Sequence, residues 1–168
     1  MATLNEGDEV IIPAPYWVSY PDIVLLTGAT PVVIECSEEQ GFKLTAKDLE
    51  ATITNNTKWV ILNSPSNPTG ACYTEQEIRN LAHVLKRKPH VHILSDDIYE
   101  QISYEGFKFF TIAQIPELKN KGIQEVHFID STDNWLQKRL YEGFELTKIK
   151  FKELARMMYD ADLKSLVK

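Results

Sequence analysis

The chain has 168 residues, 43% hydrophobic and 25% charged, a balance typical of one globular domain with a hydrophobic core. Its net charge of -6 argues against nucleic-acid binding, which needs clustered lysine and arginine. No apolar run is long enough to span a bilayer, so we expect no membrane role. Cys36 and Cys72 fit no CxxC pattern, and residues 1–8 lack the features of a signal peptide. We therefore expect a cytoplasmic chain with reduced thiols.

The first two thirds of the chain alternate β-branched runs with helical patterns. Strands are predicted at residues 9–13, 31–35, 58–63 and 91–94. Helices separate some of these strands, as in βαβ units. The pattern therefore predicts an α/β fold, with a mostly parallel sheet flanked by helices.

Two helix starts are marked by capping patterns. Thr45 and Asp48 have capping-box spacing, and Thr74 with Glu77 repeats it. Apolar residues follow at helical intervals in both places. We expect helices to begin directly after Thr45 and Thr74.

After about Leu118 the alternation of strand and helix patterns gives way to mainly helical patterns. A further strand is predicted at residues 126–130 and a short helix at 133–142. Residues 147–167 have a long amphipathic pattern, with lysines mainly on one side. The predicted organisation is a sheet domain over residues 1–118 and an atypical helical tail over residues 119–168.

Unusual polar segments follow two of the predicted strands. Residues 63–70 read NSPSNPTG, and residues 95–100 read SDDIYE. In a parallel sheet, ligands bind outside the carboxyl ends of the strands. The side chains of both segments are therefore expected to converge on one crevice.

Together with PAPYW at residues 13–17, these segments resemble the large domain of class I aminotransferases, the aspartate aminotransferase group. The three motifs occur in the order and at about the spacing of that family. The resemblance covers roughly residues 1–118. It implies a partial large domain of a pyridoxal-phosphate-dependent transferase.

The resemblance implies four cofactor-binding residues. Asp96 would face the pyridine nitrogen of pyridoxal 5'-phosphate, keep it protonated and so make the ring an electron sink. Trp17 would stack on the ring face. Asn67 and Tyr99 would donate hydrogen bonds to the phenolic oxygen of the ring. The peptide bond between Asn67 and Pro68 is expected to be cis, as the family tends to have it.

Each of the four residues also has an ordinary structural interpretation. An Asp after a strand often caps a helix, and an Asn before a proline often starts a turn, which are the alternatives for Asp96 and Asn67. Trp17 could be a core residue, and Tyr99 could be half-buried at a core edge. No metal site is expected, because His90 and His92 have no further ligands nearby in the sequence.

The sequence departs from the family pattern in two places. The glycine-containing turn and helix that help to hold the cofactor phosphate do not precede Asn5, and no Ser-Lys motif with a following Gly-x-Arg comes after Leu118. Lys148 and Arg156 have the family's Lys-to-Arg offset, but a solvent-facing helix is their ordinary interpretation. No Schiff-base lysine, and hence no catalytic residue, is identifiable. We expect a truncated chain that binds the cofactor weakly and is inactive alone.

Three hypotheses follow from these observations. The first is a split or truncated aminotransferase, acting between an aspartate-like amino acid and a 2-oxo acid, as a homodimer or with a complementing chain. The alternative is a non-catalytic α/β domain that serves as a binding or interaction module. A third is a fusion or frameshift remnant, which the break after Leu118 favours. The amino-acid substrate is left open, because no arginine lies in a matching motif.

Overall fold

A computed structural model describes residues 3–104, 106–120 and 126–128 of the chain. The described strands and α-helices are, in chain order, β1 (Glu9–Ala14), α1 (Ser19–Leu25), β2 (Thr30–Glu35), α2 (Ala46–Thr52), β3 (Thr57–Asn63), α3 (Glu75–Leu85), β4 (His92–Asp96), α4 (Pro116–Asn120) and β5 (Val126–Phe128). Short 3-10 helices are formed by Glu38–Gln40 and Ile112–Gln114.

The strands form a single sheet in the order β2-β1-β3-β4-β5, and every neighbouring pair is parallel. This confirms the predicted α/β class. From β1 the chain moves to one edge of the sheet to form β2, and it then returns to build β3, β4 and β5 on the other side. The strand order therefore reverses between β1 and β3, and such a reversal opens a crevice at the carboxyl ends of the strands.

Both faces of the sheet are buried. Successive strand residues point to opposite sides, so neighbouring residues of one strand pack in different clusters. Ile11 of β1 packs in a cluster with Leu49 of α2 and Leu81 of α3. Ile12, its neighbour in sequence, packs on the other face with Val24 of α1. Burial on both faces explains why β1 and β3 read as nearly continuous apolar runs.

The predicted helix starts are confirmed. The Thr45 hydroxyl accepts a hydrogen bond from the backbone N–H of Asp48 at 3.1 Å. At the start of α3, Thr74 and Glu77 form a reciprocal capping box, with the Thr74 N–H donating to Glu77 Oε2 at 2.7 Å. Helix α1, by contrast, was not among the predicted elements.

The other differences concern boundaries. Strand β4 continues to Asp96, two residues beyond the predicted end. Strand β5 confirms residues 126–128 of the predicted fifth strand, while the predicted helices at 133–142 and 147–167 lie outside the described residues. Within the described ranges no helix is long and apolar enough to cross a bilayer. The division of the chain after Leu118 stays a prediction.

Candidate functional site

A pocket of about 380 Å³ lies at the carboxyl ends of β3 and β4, beside α1. Its volume lies within the range of pockets that bind small molecules and cofactors. The residues that line it come from three parts of the chain and are Trp17, Tyr20, Ile23, Val24, Ile61, Asn63, Asn67, Leu94, Asp96, Ile98 and Tyr99. The four predicted cofactor-binding residues therefore share one pocket.

Asp96 places a carboxylate in this pocket. It is the last residue of β4 and is only 9% exposed. Its Oδ2 atom accepts a short hydrogen bond from the Tyr20 hydroxyl. The described residues that follow, 97–104, form turns and no helix, so the interpretation of Asp96 as a helix cap is wrong.

Tyr20 is a pocket residue that the sequence did not lead us to predict. It lies on α1, and its side chain is buried beneath the ring of Trp17, with the two ring centres 5.5 Å apart and the planes at 86°. Burial, and then the hydrogen bond to Asp96, raises the pKa of the Tyr20 phenol far above its ordinary value. The phenol therefore stays protonated at physiological pH and keeps donating to Asp96.

The two aromatic residues that were predicted, Trp17 and Tyr99, line the same pocket. Trp17 is 42% exposed, so its interpretation as an ordinary core tryptophan is wrong. Tyr99 is half-buried and reaches the pocket from the turn after β4. Both rings are accessible to a ligand, as a role in binding requires.

A pair of asparagines organises the turn after β3. Asn63 lies opposite Asp96 in the β3–β4 register, and its Nδ2 atom donates to the Asp96 carbonyl oxygen at 2.9 Å. The Asn63 Oδ1 atom accepts from the backbone N–H of Asn67 at 2.7 Å. The Asn67–Pro68 peptide bond is cis, as predicted. The hydrogen bonds of the Asn63 side chain thus connect the end of β4 to the turn that carries Asn67.

Asp97 makes its contacts away from the pocket, as the alternation of an extended segment predicts. Its side chain accepts hydrogen bonds from Ser95 Oγ at 2.8 Å and from Thr111 Oγ1 at 2.7 Å. Burial raises the pKa of the Asp97 carboxyl to about 6, although these two hydroxyl donors lower it. Neighbouring Asp96 and Glu100 add a smaller increase in the pKa.

The donor set of the pocket suits a flat heteroaromatic ring that carries a proton on its nitrogen. A carboxylate can hold the ring N–H, an indole is available for the ring face, and an amide and a phenol are available for a ring substituent. Among the described residues that line the pocket there is no lysine or arginine. The described residues also contain no group of three or more His, Cys, Asp or Glu placed to bind a metal ion.

Comparison with known proteins agrees with this geometry. Residues 1–134 match the family described as aminotransferase class I and II, and the chain belongs to that family. It is 60% identical over 122 residues to a probable aspartate/prephenate aminotransferase of Rickettsia bellii. Over 115 residues it is 63% identical to the aspartate/prephenate aminotransferase of Cereibacter sphaeroides.

The fold is also similar to those of solved aminotransferases. The crystal structure of the aspartate aminotransferase from Rhizobium meliloti superposes with a TM-score of 0.69 and 57% identity, covering 71% of this chain and 30% of that one. The Thermus thermophilus aspartate aminotransferase with maleate gives a TM-score of 0.63 and 36% identity, covering 77% and 31%. The Rickettsia and Cereibacter matches cover 72% and 68% of this chain but 31% and 29% of those proteins. The chain thus spans about a third or less of the length of these relatives.

Proposed function

We propose that this chain forms the part of an aspartate aminotransferase-like enzyme that binds the ring of pyridoxal phosphate. The whole enzyme would transfer an amino group between an aspartate-like amino acid and a 2-oxo acid. The observation that carries the proposal is the single pocket that contains Asp96, Trp17, Asn67 and Tyr99 at the carboxyl ends of β3 and β4.

In this proposal Asp96 holds the proton on the ring nitrogen, and Tyr20 keeps the carboxylate in place through its hydrogen bond. When bound, the cofactor supplies a ring that accepts electrons from the reacting carbon of the amino acid. Trp17 covers one face of the ring and excludes water from it. Asn67 and Tyr99 donate to the oxygen substituent of the ring.

We further propose that the isolated chain does not catalyse transamination. Proton transfer at the amino acid requires a base in the pocket, and the described residues lining it offer no lysine for this task. They also offer no cation for the cofactor phosphate, so binding should be weak. A complementing second chain would supply the missing groups, and we keep a homodimer as the other possible assembly and a cytoplasmic location as part of the proposal.

Helix α1 supports the requirement for a partner. Val18 and Leu26, which flank the helix, are 76% and 74% exposed, and Ile23 and Leu25 within it are 52% and 58% exposed. This row of apolar side chains lies next to the pocket, because Ile23 also lines it. Exposed apolar surface of this kind is typical of a protein–protein contact. We also propose that residues 1–118 form the partial large domain and that residues 119–168 are a separate, divergent tail.

Titration of the chain with pyridoxal phosphate, followed by cofactor absorbance, tests the proposal. We expect saturable binding with a Kd of about 0.1–1 mM, which corresponds to about 4–5.5 kcal/mol. Reduction with borohydride and mass analysis should show no specific lysine adduct, and aspartate with 2-oxoglutarate should give no turnover.

The possible outcomes separate the alternatives. A specific lysine adduct together with aspartate turnover would refute the inactivity of the isolated chain. A chain that melts cooperatively but shows no saturable cofactor binding would instead be a non-catalytic α/β module. A chain without a cooperative melting transition would be a remnant that does not fold.

A further inference from the structure

The segment that carries Tyr99 has little regular structure of its own. It runs from residue 98 to residue 110, between β4 and the 3-10 helix Ile112–Gln114. Its described residues, 98–104 and 106–110, form turns and irregular chain without helix or strand, and residues 101–104 are exposed. The contacts that hold Tyr99 in position must therefore come from residues other than the exposed stretch 101–104.

Three buried side chains join the two ends of this segment. Asp97 accepts hydrogen bonds from Ser95 and Thr111, at 2.8 and 2.7 Å, and the Ser95 and Thr111 oxygen atoms lie 3.3 Å apart. All three residues are less than 7% exposed. We call this group, Ser95, Asp97 and Thr111, the Asp97 clasp. Hydrogen bonds to a carboxylate are short and strong, and burial protects them from competition with water.

The clasp lies next to Tyr99 along the chain. The Glu100 N–H donates to the Asp97 carbonyl at 2.9 Å, and the Ile102 N–H donates to the Tyr99 carbonyl at 2.7 Å. The first turn begins at Asp97 and encloses Tyr99, the second begins at Tyr99, and the Tyr99 side chain lines the pocket. A rotation of Asp97 would therefore move the phenol of Tyr99.

We propose that the Asp97 clasp positions Tyr99 against the pocket, so that Asp97 and Thr111 are positioning residues for binding of the cofactor ring. The inference rests on the proposed function for its link to the cofactor, but its effect on the segment is independent of any ligand. Asp96 and Asp97 then have different roles. The first faces the ring, and the second holds the side chain that binds the ring oxygen.

Hydrogen exchange measured by mass spectrometry tests the clasp in the chain without cofactor. Thr111→Val keeps the shape of the side chain but removes the hydroxyl, which donates to Asp97 and accepts from the Ala113 N–H at 3.4 Å. We expect exchange about tenfold faster in the peptide covering residues 98–104, and unchanged exchange in β3 and β4. Thr111→Ser should restore slow exchange, and Thr30→Val at an exposed position should have no effect. Unchanged exchange at 98–104 overturns the proposal, and so does an increase spread over the whole sheet.

A double-mutant cycle tests the link to the cofactor. Thr111→Val should weaken pyridoxal phosphate binding about tenfold in the otherwise unchanged chain and less than about twofold when combined with Tyr99→Phe. Equal losses in both backgrounds would show that the clasp does not act through Tyr99. If Asp96→Asn leaves cofactor binding unchanged, the proposed function fails, and the exchange experiment still decides whether the clasp orders the segment.

Discussion

Asp96→Asn is expected to weaken binding of pyridoxal phosphate about ten- to a hundredfold while leaving the fold intact. The amide has the shape of the carboxylate and still accepts the hydrogen bond from Tyr20. It carries no charge, however, and cannot hold a protonated ring nitrogen. Loss of such a charged hydrogen bond costs about 1.5–3 kcal/mol, which raises the Kd about ten- to a hundredfold. The absorbance titration described above is the appropriate measurement.

The matched control is Asp22→Asn, which removes the same charge from an exposed position on α1. It should leave cofactor affinity within about twofold, because an exposed charge is screened by solvent. Near-ultraviolet circular dichroism should be the same for both variants and the unsubstituted chain. If Asp96→Asn and Asp22→Asn bind the cofactor with equal affinity, Asp96 is not part of the cofactor site.

Asp97→Asn is expected to change how stability depends on pH. Burial raises the pKa of Asp97 from 3.8 to about 6, so the folded chain binds a proton here more tightly than the unfolded chain does. This group therefore stabilises the fold fully below pH 3.8, and that contribution is lost as the pH rises through about 6. This shift in the pKa of Asp97 corresponds to about 3 kcal/mol of unfolding free energy.

Urea unfolding between pH 4 and pH 7 measures this effect. The difference in unfolding free energy, Asp97→Asn minus the unsubstituted chain, should grow by up to about 3 kcal/mol as the pH rises, because the amide does not titrate. Acids with lowered pKa, such as Glu77, contribute equally to both chains and cancel. A difference that is constant with pH, or that shrinks, would show that Asp97 is not held with a raised pKa.

Local sequence signals predicted the fold well where a short pattern decides the structure. The β-branched runs around Ile11 and Val60 became buried parallel strands. Thr45 and Thr74 capped helices at the predicted positions, because a capping box depends only on residues three apart. The position of the pocket followed from the rule that polar segments after neighbouring parallel strands meet at one edge.

Features that depend on contacts distant in sequence were missed. Tyr20 meets Asp96 across 76 residues, and only the packing of α1 on the sheet brings them together. The spacing of Tyr20 and Val24, which bury one face of α1, was the available signal, since Pro21 is tolerated in a first helical turn. The contact of Asp97 with Thr111 joins residues 14 apart in the sequence, and no periodic pattern predicts such a contact.

The protonation state of the bound cofactor tests the role of Asp96 most directly. Pyridoxal phosphate labelled with nitrogen-15 in the ring can be titrated with alkali by NMR, free and in the presence of saturating chain. We predict that the ring nitrogen keeps its proton to a higher pH when bound to the chain than when free, and that Asp96→Asn abolishes the difference. A bound ring that loses its proton at the same pH as free cofactor would contradict the placement of this carboxylate at the ring nitrogen.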